Sequence, residues 1–432
     1  MERKRLNRGE SMAVLALLLL FLGCRGPRQT REAVVPEPAP TPGRMGTGPW
    51  LLQLHQSNLW VRTPSGDAGY ALTRSGRVVS EMLGRHELGW TSVAISPDGH
   101  QVAYVETAEN PGANTIGGWS LLWVVNADGS GRRLLVDLRE HLPPEGVIRA
   151  GPILWSSDGS RVAYVLYSYE KKPRSRTRLP LAIVDAVELA TGRRETLFQW
   201  PERGSSFEPR GWSVERGEFY FTFERETPSP PEFTPWGVGD FITLRLGSGE
   251  STRALPAQGS LSPDGQHLLL LPSMLRWGDK LGPPLWDGQE LVVPQDFSSF
   301  LVQRVAWMHG QPVAYITTYR GAECIFRTPP PVLYRLEVGG SSPRVERRTE
   351  YPWLLVLELS PDDAYVLMAV VARHPQDRGG CELHAFESLL VAERSRFEAS
   401  TSLEELIAAS VRVDDPASQL GRPLQGFIGW LR

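Results

Sequence analysis

Beyond residue 50, short apolar runs alternate with polar turns, and the alternation repeats at a period near fifty residues. The clearest copies are Ser92-Val-Ala-Ile-Ser-Pro-Asp-Gly-His-Gln-Val-Ala-Tyr104 and Ile153-Leu-Trp-Ser-Ser-Asp-Gly-Ser-Arg-Val-Ala-Tyr164. Two more follow: Gly259-Ser-Leu-Ser-Pro-Asp-Gly-Gln-His-Leu-Leu-Leu270 and Leu357-Glu-Leu-Ser-Pro-Asp-Asp-Ala-Tyr-Val-Leu367. Degenerate copies fill the gaps at 211–220 and 305–315. Each unit predicts a strand, a tight turn and a second strand. Proline at the second turn position fixes φ, aspartate caps its own backbone, and glycine accepts positive φ.

A looser hairpin completes each unit. Its best copy is Leu121-Leu-Trp-Val-Val-Asn-Ala-Asp-Gly-Ser-Gly-Arg-Arg-Leu-Leu135, with related segments at 58–72, 241–246 and 333–338. Four strands per radial unit is the logic of a β-propeller blade. At these residues the chain resembles the TolB-type propeller family, whose repeats carry Ser-Pro-Asp-Gly and then Leu-Trp-Val-x-Asn-Ala-Asp-Gly. The resemblance spans roughly 50–432, is strongest at 88–168, and implies a fold more than a function. TolB has an additional N-terminal α/β domain, so its role is not carried over.

Inner strands are expected near 94, 154, 212, 260, 306 and 358. Trp50-Leu-Leu-Gln-Leu-His55 opens as a second strand with no first strand before it. Gln425-Gly-Phe-Ile-Gly-Trp430 resembles Gly151-Pro-Ile-Leu-Trp155 but has no hairpin after it. Placing the last strand inside the first blade predicts an all-β propeller of seven four-stranded antiparallel blades, with six or eight left open. Closure also removes an exposed sheet edge. Residues 402–410 read as a helix, with Ser402 as N-cap and Glu405 three positions on.

The N-terminus follows a different pattern. A basic segment leads into the unbroken apolar run Met12–Leu22, shorter than the roughly 20 residues needed to span a bilayer. It ends at Gly23-Cys24, which resembles the lipobox of bacterial lipoproteins. That resemblance implies residues 1–23 as signal peptide, acylation at Cys24, and an envelope address with the periplasmic side of the outer membrane preferred. Residues 24–49 carry Val-Pro-Glu-Pro-Ala-Pro-Thr-Pro-Gly at 35–43, a stiff tether before a propeller at 50–432. In an exported domain the remaining Cys324 and Cys381 can pair as a disulfide or stay as thiols.

Composition narrows the chemistry further. A net charge of -3 lacks the electrostatic footprint of a nucleic-acid binder. The histidines and cysteines show no metal-ligand spacing, and no nucleophile elbow, P-loop or dinucleotide fingerprint occurs. No metal, cofactor or catalytic residue is therefore assigned. Asp98, Asp158, Asp264 and Asp362 fall at turn spacing and read as turn caps. Trp60, Trp123, Trp155, Trp307 and Trp430 read as core.

Long segments follow the second strands, at roughly 107–118, 169–178, 225–239, 272–284, 319–331 and 373–380, and all are expected on one face. Loops on a rigid scaffold are where binding residues concentrate. One such segment carries Lys171, Lys172, Arg174, Arg176 and Arg178; another carries Phe233 and Trp236 among prolines. These are the candidate contacts to a protein partner or envelope polymer. The expected protein is a monomeric, non-catalytic, lipid-anchored binding propeller. A propeller lyase or hydrolase acting on polysaccharide, or a passive structural repeat protein, are the alternatives.

Overall fold

The computed structural model describes residues 48–66, 68–79, 92–108, 119–141, 146–170, 181–225, 240–272, 283–295, 297, 301–311, 313–319, 331–337, 343–373, 384–413 and 427–432. All lie in one compact unit, Glu37–Arg432. Among the described residues, twenty-six strands are arranged as seven blades of four antiparallel strands, two strands being shared between blades. Blade 1 holds β1 (Trp50–His55), β2 (Asn58–Arg62), β3 (Gly69–Ala71) and, as its innermost strand, the C-terminal β26 (Phe427–Leu431). Blade 2 is β4 (Val93–Ile95), β5 (Gln101–Thr107), β6 (Trp119–Asn126) and β7 (Arg133–Asp137).

The next three blades share strands, which the repeat does not announce. One ten-stranded ladder runs through β8 (Gly146–Trp155), β9 (Arg161–Glu170), β10 (Leu181–Glu188), β11 (Arg194–Ser213) and β12 (Glu218–Arg225). It continues through β13 (Asp240–Arg245), β14 (Ser251–Leu261), β15 (Leu268–Pro272), β16 (Leu285–Trp286) and β17 (Gln289–Glu290). β11 is the outer strand of blade 3 up to Arg203, where it pairs with β10, and the inner strand of blade 4 from Gly204, where it pairs with β12. β14 makes the same exchange between Pro256 and Ala257. The β14 crossing falls directly after Pro256, which has no amide to donate to the ladder.

Blade 6 comprises β18 (Leu301–Trp307), β19 (Val313–Tyr319), β20 (Val332–Glu337) and β21 (Arg344–Arg348). Blade 7 comprises β22 (Leu354–Leu359), β23 (Tyr365–Arg373), β24 (His384–Glu393) and β25 (Val411–Arg412). Two short helices, Arg394–Ala399 and Leu403–Ala408, replace its third turn. The expected cap is present: Glu405 N donates to Ser402 Oγ at 3.2 Å, and Thr401 N donates back to Glu405 Oε2 at 2.8 Å. Phe397 and Leu406 are buried among Tyr315, Tyr351 and Leu354, where blades 6 and 7 meet. Elaboration is thus not wholly confined to one face, because this insertion sits with the short turns.

The core is distributed between blades. Apolar clusters join blade 2 to 3, 3 to 4, 4 to 5, 5 to 6, 6 to 7 and 7 to 1. The residue before each first turn supplies a large apolar group: Ile95, Trp155, Trp212, Leu261, Trp307 and Leu359, with Trp430 in the closing strand. Trp155 Nε1 donates to Ala94 O at 2.9 Å, and Trp307 Nε1 to Ser260 Oγ at 2.8 Å, each reaching the preceding blade. Trp60, expected in the core, is only half-buried.

Closure follows the expected route. β26 pairs antiparallel with β1, Trp50 opposite Leu431 and Leu51 opposite Trp430. Arg432 N then donates to Gly99 O at 2.9 Å, tying the chain end to the first turn of blade 2.

Candidate functional site

The first turns form a belt tied together at several points. Ser96 Oγ donates to Asp98 Oδ1 at 2.5 Å, His100 N donates to the same carboxylate at 3.1 Å, and Gln101 N donates to Ser96 Oγ at 2.9 Å. Ser156/Asp158, Ser262/Asp264 and Ser360/Asp362 repeat this arrangement. The four aspartates are therefore turn caps. Burial disfavours the charge on Asp158 and Asp264, but hydrogen bonds from their own turns outweigh it and hold both below the ordinary carboxylate range. Gly99, Gly159 and Gly265 take φ of 76, 68 and 72°. Asp363 stands where glycine is expected, at φ 57°. It accepts from His309 N at 2.8 Å and Gly310 N at 2.7 Å, so a strained backbone of about 1–2 kcal/mol is offset by two links to blade 6.

Neighbouring turns lean on one another. Ser157 N donates to Trp212 O at 2.9 Å, Val214 N to Ser157 Oγ at 3.0 Å, and Ser213 Oγ to Gly265 O at 3.0 Å. A Cβ on Gly99 would meet Pro361 Cγ at 3.3 Å. All first turns therefore share one rim. Strand alternation places the second-to-third connections at the opposite rim.

Six of those connections are long: 108–118, 171–180, 226–239, 273–284, 320–331 and 374–383. The seventh, in blade 1, is only Gln56-Ser57, both at positive φ (49 and 56°). The flanking strands assign the basic segment to blade 3, the Phe233/Trp236 segment to blade 4, and the cysteine-bearing segments to neighbouring blades 6 and 7. Lys171, Lys172, Arg174, Arg176, Arg178, Phe233, Trp236, Cys324 and Cys381 themselves lie outside the described residues, as does Cys24.

Two polar clusters escape motif reading because their members come from different blades or distant strands. At the junction of blades 1 and 2, Arg132 Nη2 meets Glu106 Oε1 at 3.0 Å, with side chains 6% and 0% exposed. Ser75 Oγ donates to Glu106 Oε1 at 2.7 Å, Arg132 Nε donates to Tyr104 Oη at 2.7 Å, and the guanidinium lies 4.1 Å above the Trp123 ring. Tyr70 Oη donates to Ala127 O nearby, and burial, with Asp128 close by, pushes the phenol up to about 12. The pair is desolvated; Oε1 of Glu106 takes both contacts, while Oε2 is buried without a hydrogen-bond partner among the described residues.

The second cluster lies beside the closing strand. Glu358 on β22 accepts a hydrogen bond from Trp430 N, with Arg304 of β18 and His309 as its charged neighbours. Loss of solvent around the partly exposed side chain is the dominant influence and raises its carboxyl above the ordinary range, opposed by Arg304, His309 and the Trp430 amide. Arg304 Nε also donates to Leu357 O at 2.8 Å. Elsewhere on the inner strands, Arg210 pairs with Glu208 at 2.7 Å and donates to Thr222 Oγ1 at 2.7 Å. Among the described residues no group of His, Cys, Asp or Glu is arranged to hold a metal ion.

No known family profile matches the chain, and comparison with curated proteins gives no match. Solved structures of similar fold include an oligogalacturonate lyase in complex with manganese, at 12% identity over 78% of this chain and 68% of that one, TM-score 0.36. TolB from Acinetobacter baumannii aligns at 15% identity over 77% and 66%, TM-score 0.34. Pyrococcus horikoshii acylaminoacyl peptidase aligns at 12% over 78% of this chain but 46% of its own length, TM-score 0.46. Enzymes and TolB proteins thus both occur among chains of this architecture, and these likenesses leave the function open.

Proposed function

We propose that this protein is a bacterial envelope lipoprotein, acylated at Cys24, whose propeller binds a protein partner or envelope polymer through the long connections of one rim. The observation that carries the reading is the asymmetry between rims. Six first turns are minimal, and several are bonded to a neighbouring blade, whereas six second-to-third connections are long. A rigid ring with one variable rim is a scaffold for recognition. The Gly23-Cys24 junction and the proline-rich tether support the envelope address; among the described residues no helix is long and apolar enough to cross a membrane.

Crosslinking in the native envelope tests the proposal. The full chain is expected to recover one reproducible partner, and replacing 226–239 by a short Gly-Ser turn should sharply reduce capture while leaving the unfolding transition in place. Equal capture by the shortened chain would overturn the assignment to this rim.

A second reading, a polysaccharide lyase or hydrolase, is favoured by one observation: Glu358, Arg304 and His309 bring an acid, a guanidinium and an imidazole together from two blades. Turnover of acidic or neutral envelope polysaccharide that disappears in Glu358→Gln would favour it. No turnover by the wild-type chain removes it.

A further inference from the structure

We infer that a membrane anchor placed before Gly48 turns the first-turn rim toward the bilayer, so that the strand ends carrying the long connections face away from it. The partner then approaches from the aqueous side. The inference rests on the lipoprotein reading above for the anchor itself, and on the geometry of the ring for the direction.

The chain enters the ring at one rim. A Cβ on Gly48 would stand 2.8 Å from the Arg432 carbonyl carbon and 3.5 Å from Leu431 O, so the entry lies against the end of the closing strand. That end belongs to the first-turn rim. Arg432 N donates to Gly99 O at 2.9 Å, and a Cβ on Gly99 would meet Arg432 Cβ at 3.0 Å and Pro361 Cγ at 3.3 Å. Gly99 sits in the first turn of blade 2 and Pro361 in that of blade 7. From Trp50 to His55, β1 then runs to the opposite rim, a rise of about 20 Å for its six residues.

Third turns join the first turns on the entry rim. Ala127 N donates to His100 O at 2.8 Å, Leu189 N to Ser160 O at 2.9 Å, and Leu246 N to Gly217 O at 2.7 Å. The carboxylates of Asp98, Asp158, Asp264 and Asp362 accept from their own turns. The entry rim is therefore the one whose polar groups are already matched. Turning the ring over would require the tether to climb the outer side of the ring and would press the long connections against the headgroups. A proline-rich chain resists such doubling back.

Energy transfer to a headgroup-labelled lipid tests the inference. The chain is held on vesicles containing a nickel-chelating lipid, through a histidine tag replacing residues 1–23, so orientation is measured whether or not Cys24 is acylated. A fluorescent unnatural residue is placed at Ser248, in the third turn of blade 4, or at His55, at the far end of β1; both positions are exposed. Transfer from Ser248 should exceed transfer from His55 on the order of twofold, given the about 20 Å between the rims. Deleting residues 27–43 should raise transfer from Ser248 further and keep the order. Equal transfer from the two positions, or more from His55, would overturn the inference in either chain. Acylation is read separately: labelled palmitate is expected on the wild-type chain and not on Cys24→Ser. Its absence from the wild type would overturn the lipoprotein address, while the direction of the ring is decided by the transfer alone.

Discussion

Blades 3 to 5 and the junction of blade 7 with blade 1 achieve the same geometry by different means. In the middle of the chain β11 and β14 pass from one blade into the next, so adjacency is guaranteed by the covalent backbone. At the junction adjacency rests on the β26–β1 ladder, the Trp430 contacts and the Glu358 carboxyl. The difference teaches where cooperativity must come from: a ring inherits order where the chain runs through and has to assemble it where the chain ends meet.

The largest effect should follow from deleting Phe427–Arg432. This exposes β1 as an edge and removes both Trp430 and Leu431, each almost fully buried. The loss should exceed the about 3–5 kcal/mol expected for one buried aromatic. Thermal unfolding should show a lower, broader transition accompanied by association, and a transition like that of the full chain would mean that closure contributes little.

Next come Trp430→Ala and Trp212→Ala, matched residues in the junction and the middle. Each should cost about 3–5 kcal/mol in denaturant unfolding. Only Trp430→Ala should also raise exchange throughout β1 ahead of global unfolding. If Trp212→Ala frays its own blade equally, covalent continuity gives no local advantage.

Glu106→Ala leaves Arg132 buried with its carboxylate gone, at about 3–5 kcal/mol. Adding Arg132→Met should restore much of that loss, whereas a double variant no better than the single would show that the cost arises from packing. The smallest effects belong to the belt. Asp158→Ala or Asp98→Ala should each cost about 1 kcal/mol, since one hydrogen-bonding acceptor leaves a partly exposed turn. The caps also make stability depend on pH. Carboxyls held below the usual 3.8, as at Asp158 and Asp264, stabilise the fold above that value and release it as pH falls further. Asp158→Asn should therefore make unfolding less sensitive to acid.

The parts legible in the sequence are those written locally. Ser-Pro-Asp-Gly specifies a turn through bonds made within six residues, so each inner hairpin could be located from its own text. Ring closure was legible because a second strand without a first, at Trp50, matched a first strand without a second, at Trp430. The running strands were not, because a partner exchange inside β11 or β14 uses no turn residues. Both polar clusters were also hidden: Glu358 meets Arg304 and Trp430, and Glu106 meets Ser75 and Arg132, across distances in sequence that no motif spans. The helical pair in blade 7 was half-legible. Ser402 and Glu405 announce a helix start, but nothing local shows that Phe397 will seal the blade 6 interface.

The two-residue connection of blade 1 gives the ring a bearing. Six of the seven second-to-third connections are long and one is only Gln56 and Ser57. A near-symmetric wheel would offer a visitor seven almost interchangeable ways to land. A single short connection makes those ways unequal, so anything docking there has one preferred azimuth.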